Sequence, residues 1–344
     1  MRREDNGMSD THKQSIEELS GSYRDIGRQH GENNAAHIRY LLQSYGVSEA
    51  APWEPAHFLD ALSTHLPDLV DEIHGIAEGS GCSLKEICGL SFLIDLGTAP
   101  TACTGVVFAD GPDGPVMGKT CDCCPGLQQV WLRPRLVKPA GQPAALMLSH
   151  VGSPNAEMGM NENGLAIGIT GLPSVAVDHR GVGWQQDIRA VLHRCATTQE
   201  AIELMQMIPI RGFGYCAVAV DAAGDVAIID KVAGAMGVKR PDGNVAYVSN
   251  IAQCPEVIPH TTGLSENGLG RMALLKQLCA DESQMDFSFD GLLRMFCTHG
   301  EPVGLCQHGP ELHSTTGFFM LPSKGMVHIA RGHTCSSELE AFRF

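Results

Sequence analysis

The chain has 344 residues, 43% of them hydrophobic and 18% charged, with a formal net charge of -15; that length buries a large core, and an acidic balance with no basic run longer than Arg2-Arg3 argues against nucleic acid and against an anionic membrane surface as partners. No stretch approaches about 18 uninterrupted apolar residues, and the opening "MRREDNGMSDTHKQ" lacks the apolar centre of a signal peptide, so a cytoplasmic protein with a small-molecule or peptide-like partner is expected. Thirteen scattered cysteines, an odd number, then read as mostly reduced thiols rather than a disulfide framework.

Taken in chain order, roughly the first hundred residues read as helical. Ser15 with Glu18 and Ser83 with Glu86 have capping-box spacing, in which a hydroxyl and a carboxylate satisfy the orphan amides of a helix start. "HIRYLLQSYGV" and "LPDLVDEIHGIAEG" carry apolar residues at helical intervals. At Cys103 the pattern changes. "CTGVVFAD", the turn "GPDGP" and "VMGKTCD" read as a β-hairpin, and further strands are predicted at "QVWLRPRLV", "AALMLSH", "GLAIGIT", "GYCAVAVD", "VAIIDKV", "NVAYVSN", "TTGFFML" and "GMVHIAR". Helices are predicted at "WQQDIRAVLHRC", at "TQEAIELMQMI" behind Thr197 with Glu200, and over 266–280 and 286–297. Strand runs broken by helix pairs point to an α+β layered protein with mainly antiparallel sheets, and with no repeat or linker residues 1–344 read as one domain.

Most free cysteines are buried small apolar side chains rather than nucleophiles. Cys103 differs in its setting, behind small residues and at the junction of the helical and strand-rich regions. If the Ala102–Cys103 peptide bond were cut, Cys103 would carry both a thiol and an α-amine. That amine titrates near about 7.7–8.0, against about 8.5 for a thiol, so it can accept the thiol proton without a histidine.

Several motifs recur here in a shared order: "GSYRDIGRQHG" (21–31), "EIHGIAEGSG" (72–81), "ACT", "GKTCD" (118–122), "GMNENGLAI" (159–167), "SN" (249–250), "GLCQHG" (304–309), "TTGFFML" and "VHIARG". With them the chain resembles the acyl-coenzyme A:isopenicillin N acyltransferase family of N-terminal nucleophile hydrolases, over nearly its whole length. The resemblance implies a four-layer αββα sandwich and self-cleavage into a mostly helical α-subunit, 1–102, and a β-subunit, 103–344. The product is an αβ heterodimer from one precursor, open to further homo-oligomerisation. It implies an amidohydrolase or acyltransferase that cleaves a linear amide of a small N-acyl amine or peptide-like substrate through an acyl-enzyme on Cys103, with no cofactor and no metal. Asp122 would orient the freed amine, Asn250 would donate to the oxyanion, and Arg331 could hold Asp122 or a substrate carboxylate. Thr120, Cys121, His150 and Thr170 are the candidate pocket residues, with Gly168 and Ile169 beside Thr170 also expected to face the substrate.

The chain departs from the family's G-Q-N-W-D at Lys119, Thr120 and Cys121, and from its usual glycine before the nucleophile at Ala102. The nucleophile machinery carries over and the penicillin substrate does not. The alternatives are an acyl-CoA-dependent N-acyltransferase and, from another class, a cysteine-rich metal-binding protein. The latter would use Cys121, Cys123 and Cys124 with His150, His299, His308 or His313, although no second C-x-x-C pair is present to complete a tetrahedral site.

Overall fold

A computed structural model describes residues 16–48, 56–95, 101–123, 131–301 and 303–344. Strand β1 (Glu17–Gly21) leads into four helices, α1 (Tyr23–Tyr45), α2 (Ala56–His65), α3 (Pro67–Ser80) and α4 (Leu84–Asp95). A run of strands follows: β2 (Thr101–Phe108), β3 (Val116–Cys123), β4 (Leu132–Pro139), β5 (Ala145–His150), β6 (Met158–Asn161) and β7 (Ala166–Leu172). Helices α5 (Trp184–Arg194) and α6 (Thr198–Met207) precede β8 (Gly214–Val220), β9 (Val226–Val232), β10 (Ala235–Lys239) and β11 (Val245–Val248). Helices α7 (Glu266–Leu278) and α8 (Phe289–Phe296) then lead to β12 (His313–Leu321), β13 (Met326–Arg331) and β14 (Leu339–Arg343).

The strands form two sheets. One runs β1-β4-β5-β6-β7-β8-β9-β10, antiparallel except where β1 joins β4 in parallel, and the other runs β11-β2-β3-β12-β13-β14, antiparallel throughout. Period-two alternation divides the apolar side chains of each strand between two cores. Cys103, Met117, Leu146, Val218, Phe318 and Ile329 fill the space between the sheets. On the far side of the larger sheet, Met147, Ile167, Ile169 and Ala217 pack on Ile188, Val191 and Ile202 of α5 and α6. On the far side of the smaller one, Val106, Phe108 and Phe319 pack on Leu275, Leu292 and Phe296 of α7 and α8. Helices α1 to α4 form a further apolar cluster that reaches Val151, Val182 and Ala190. The layers are therefore αββα, as the resemblance implied.

The helix starts divide instructively. Ser83 and Glu86 form the expected reciprocal cap on α4, at 3.2 and 2.9 Å, and Thr197 accepts from the Glu200 amide at 3.2 Å. The expectation at Ser15 and Glu18 is corrected. Ser15 lies outside the described residues, and Glu18 lies in β1, whose Leu19 is buried against the sheet. The capping box belongs to Ser22 and Asp25, which open α1. A short alternating segment at a sheet edge gains ladder hydrogen bonds from β4, and this outweighs the local capping signal. No helix of the described residues is long and apolar enough to cross a membrane.

Candidate active site

Cys103 is the third residue of β2 and is buried, 7% exposed. It sits opposite Cys121 of β3, while Ala102 sits opposite Asp122. Because neighbouring strand positions face opposite ways, the Cys103 and Cys121 side chains enter the space between the sheets and Asp122 enters the layer toward α7 and α8.

The main chain of Cys103 is held by two long-range partners. Its N–H donates to Oδ1 of Asn250 at 2.9 Å, and its carbonyl accepts from Nη1 of Arg271. Arg271, fully buried on α7, also donates through Nη2 to the same Asn250 oxygen at 2.9 Å and through Nη1 to Thr104 Oγ1 at 3.1 Å. Two donors on Oδ1 fix the orientation of the Asn250 amide, whose Nδ2 donates to the Gly171 carbonyl at 3.0 Å and carries a second hydrogen. Asn250 has φ 25°, the only non-glycine residue with positive φ among those described. Such a backbone costs about 1–3 kcal/mol and is held only where the surroundings over-determine it. Here the Thr170 hydroxyl accepts from the Asn250 backbone N–H at 3.0 Å and donates to the Cys216 carbonyl at 3.1 Å.

On the inner face, Cys103, Cys121 and Glu157 bring sulfurs and a carboxylate oxygen within 4.8 Å of one another. Lys119, fully buried, donates to Cys121 Sγ at 2.7 Å and lies 3.4 Å from Glu157 Oε2, which also accepts from Cys121 at 2.7 Å. Cys121 has one hydrogen, which either Glu157 or the Cys103 sulfur can receive. The hydrogen bond from Cys121, with the Lys119 ammonium behind it, draws the Cys103 thiol below its ordinary value despite burial, while burial pushes Cys121 well above its own. Burial opposes the Glu157 charge, but Lys119 and His150 overcome it and lower the carboxyl. His150 reaches this group through Glu157, Nε2 to Oε1 at 3.5 Å, and burial lowers its pKa.

On the outer face, Asp122 accepts from Ser314 Oγ at 2.6 Å and from Gln307 Nε2 at 2.9 Å. A β-bulge in β12 passes over Thr315 and so sets Ser314 opposite Asp122. Burial raises the Asp122 carboxyl, with Arg271, Ser314 and Gln307 pulling the other way. Gln307 Oε1 accepts from Asn267 at 2.6 Å, and Asn267 Oδ1 accepts from Arg271 Nε at 2.8 Å. Asp122 is thus tied to the Cys103 main chain through a continuous polar network.

Other expected residues stand elsewhere. Arg331 forms a bidentate pair with Glu340 of β14, at 3.0 and 3.1 Å, so it is a strand-end arginine and Asp122 has other partners. Thr120 is buried with its side chain on the outer face, and Ile169 packs in the far core with α5. Thr170 spends its hydroxyl on Asn250. Gly168 makes room between the sheets, since a Cβ there would lie 2.9 Å from Lys119 Cγ. Cys121 is taken up by Lys119 and Glu157, Cys123 lies 3.9 Å from Thr315 Oγ1, and Cys124 lies outside the described residues; among the described residues Cys121 and Cys123 belong to no shared group of potential metal ligands. Arg271, Glu157, Gln307 and Ser314 were not singled out from sequence, and Lys119 was noted only as a departure. They come from distant elements, and no local spacing marks them.

The αββα layers are those that the resemblance to N-terminal nucleophile hydrolases implies, and within them a thiol near the start of an inner-sheet strand has both its amide and its carbonyl clamped. Residues 111–261 match the model of the family described as acyl-coenzyme A:6-aminopenicillanic acid acyl-transferase. That segment, less than half of the chain, holds Asp122 and Asn250. No curated protein matches the sequence. Among solved structures, a penicillin V acylase from Agrobacterium tumefaciens is 12% identical, with 70% of this chain and 86% of that one covered and a TM-score of 0.42. A Caenorhabditis elegans N-acylethanolamine-hydrolyzing acid amidase ortholog is 12% identical, with 64% and 93% covered and a TM-score of 0.44. A conjugated bile acid hydrolase variant from Clostridium perfringens is 13% identical, with 70% and 97% covered and a TM-score of 0.38. All three scores lie below 0.5, and the layered fold stands on this chain's own strand order and packing.

Proposed function

We propose that this chain is a self-processing N-terminal cysteine amidohydrolase, acting on a linear amide of a small N-acyl amine or peptide-like substrate. The observation that carries the reading is the clamp on Cys103: N–H to Asn250 Oδ1, carbonyl to Arg271, and a thiol of lowered pKa beside Cys121 and Lys119. The family match over 111–261 supports acyl-transfer chemistry.

In maturation, the Cys103 sulfur attacks the Ala102 carbonyl carbon. The bond to the Cys103 nitrogen breaks, that nitrogen takes the thiol proton and leaves as an amine, and water hydrolyses the thioester to an Ala102 carboxylate and a free thiol. The new amine inherits the hydrogen bond to Asn250 Oδ1, which aims its lone pair for general-base work. In turnover, the amine takes the thiol proton as sulfur attacks the substrate carbonyl. The second hydrogen of Asn250 Nδ2 serves the oxyanion, a donor typically worth about 10²–10³ in rate. The protonated amine then protonates the leaving nitrogen, and water completes the cycle. Asp122, through Gln307, Asn267 and Arg271, keeps the Cys103 backbone in place.

Intact mass of the purified protein tests the maturation. Two fragments meeting at Cys103 are expected in the wild type and a single chain in Cys103→Ala. A permanently intact yet amide-cleaving wild type would overturn self-processing, and amide cleavage by the alanine variant would remove Cys103 from the mechanism.

A further inference from the structure

Four potential metal ligands converge away from the nucleophile, on the loops that flank β12 and β13. His299 follows α8, Cys306 and His308 lie in the segment before β12, and Cys335 lies in the turn after β13; one ligand atom from each falls within 4.8 Å of all the others. His308 Nε2 is 3.1 Å from His299 Nε2, 3.5 Å from Cys306 Sγ and 3.3 Å from Cys335 Sγ.

A single imidazole nitrogen has one hydrogen or one lone pair and satisfies one hydrogen bond, so three neighbours at these distances exceed what it can serve. A tetrahedral ion serves all four at once. Zinc bonds of about 2.0–2.1 Å to nitrogen and about 2.3 Å to sulfur place two nitrogens about 3.3 Å apart and nitrogen about 3.5 Å from sulfur. The observed edges fall within a few tenths of an ångström of these. His308 is further held by a bridge to His313 and by the His333 ring stacked on it at 3.9 Å.

We propose that His299, Cys306, His308 and Cys335 form a structural Cys₂His₂ zinc site. Four protein ligands close the coordination sphere, which is the pattern of a structural ion rather than a catalytic one. An ion enters through a cleft of about 720 Å³ lined by His299, Cys306 and His308. The ion would pin the segment before β12 to the turn after β13. Gln307, between two of the ligands, points the other way, to Asp122 and Asn267. The site therefore anchors the strut of the polar network behind Cys103, although the proposal does not depend on what Cys103 does.

The test is metal content of the full chain purified from zinc-supplemented cells, followed by exchange with cobalt(II). One zinc per chain is expected, lost in Cys335→Ser and in His299→Ala, both at exposed positions, and kept in Cys121→Ser. The cobalt form should show the intense visible bands of tetrahedral thiolate coordination, and the melting temperature should fall when zinc is chelated. A chain that holds no zinc and takes up neither zinc nor cobalt in titration would overturn the site. So would a Cys306–Cys335 disulfide in metal-free protein, found by non-reducing peptide mapping, or zinc retained by the variants with circular dichroism unchanged.

Discussion

Lys119 has no exposed surface, and a buried ammonium costs several kcal/mol unless charge and hydrogen bonds compensate it. Burial pulls its pKa down, but Cys103, Cys121 and Glu157 outweigh that and keep the side chain charged. The same charge favours the thiolate of Cys103, so Lys119 sets a cation where the G-Q-N-W-D pattern has a neutral glutamine. In the wild type the Cys103 pKa is lowered, so the thiolate forms at a lower pH than for an ordinary cysteine. Lys119→Gln removes the cation, and the midpoint of Cys103 alkylation by iodoacetamide should move to higher pH, with slower modification at neutral pH. Peptide mass mapping across a pH series checks this. A midpoint that stays in place or falls would mean that Lys119 does not set the thiol's ionisation. Cys121 makes the opposite trade: burial keeps it protonated, so of two facing thiols one is the proposed nucleophile and the other the donor.

Helices α1 and α3 show how a sequence motif can be about packing. Gly27 and Gly31 on one and Gly75 and Gly79 on the other let the two backbones touch. A Cβ at Gly27 would lie 2.0 Å from the Glu72 carbonyl oxygen, and one at Gly79 would lie 2.0 Å from that of Arg28. His30, within "IGRQHG", lies between Glu17 (Nδ1 to Oε2, 3.0 Å) and the Gly152 amide (2.9 Å to Nε2), which makes it a clip for β1 rather than a catalytic base. Helix-interior glycine to alanine ordinarily gains up to about 1 kcal/mol. At Gly27 or Gly79 it should instead cost on the order of 2 kcal/mol, because backbone cannot yield as a side chain can. Urea unfolding reads the difference, and a neutral or stabilising alanine would refute the close crossing. The capping signals at Ser83 and Thr197 and the long apolar strands were legible because each is a local pattern. Strands β6, β10 and β14, of four or five residues, were not predicted, because so short a run shows too little alternation and depends on its neighbour's ladder. At the site, Cys103 was legible from its junction. Arg271 was not, because an arginine within "NGLGRMALL" looks like any helix-face cation until α7 is laid across β2.

At the scale of the molecule, the proposed cut falls between segments that are bound to each other by more than the peptide bond. Strand β1 adds five paired residues to the edge of the larger sheet. Glu72 of α3 and Arg189 of α5 form a buried ion pair at 3.0 Å, Tyr23 donates to Gln142 at 2.6 Å, and Arg194 meets Asp68 at 2.9 Å. The apolar faces of α1 to α4 close over Val151, Val182 and Ala190, burial that stabilises by about 1.5–3 kcal/mol for each large side chain removed from water. Cleavage before Cys103 removes one covalent bond and none of these contacts. The two fragments of the processed protein should therefore elute together from a sizing column in buffer and separate only in denaturant, with fragment masses read from the same peak. Arg189→Met leaves the Glu72 carboxylate buried without its partner, a loss of about 3–5 kcal/mol, and should lower the denaturant concentration at which the fragments part. If fragments of the wild type drift apart in buffer at moderate salt, the helical layer is held by the chain linkage rather than by its packing, and processing would release it.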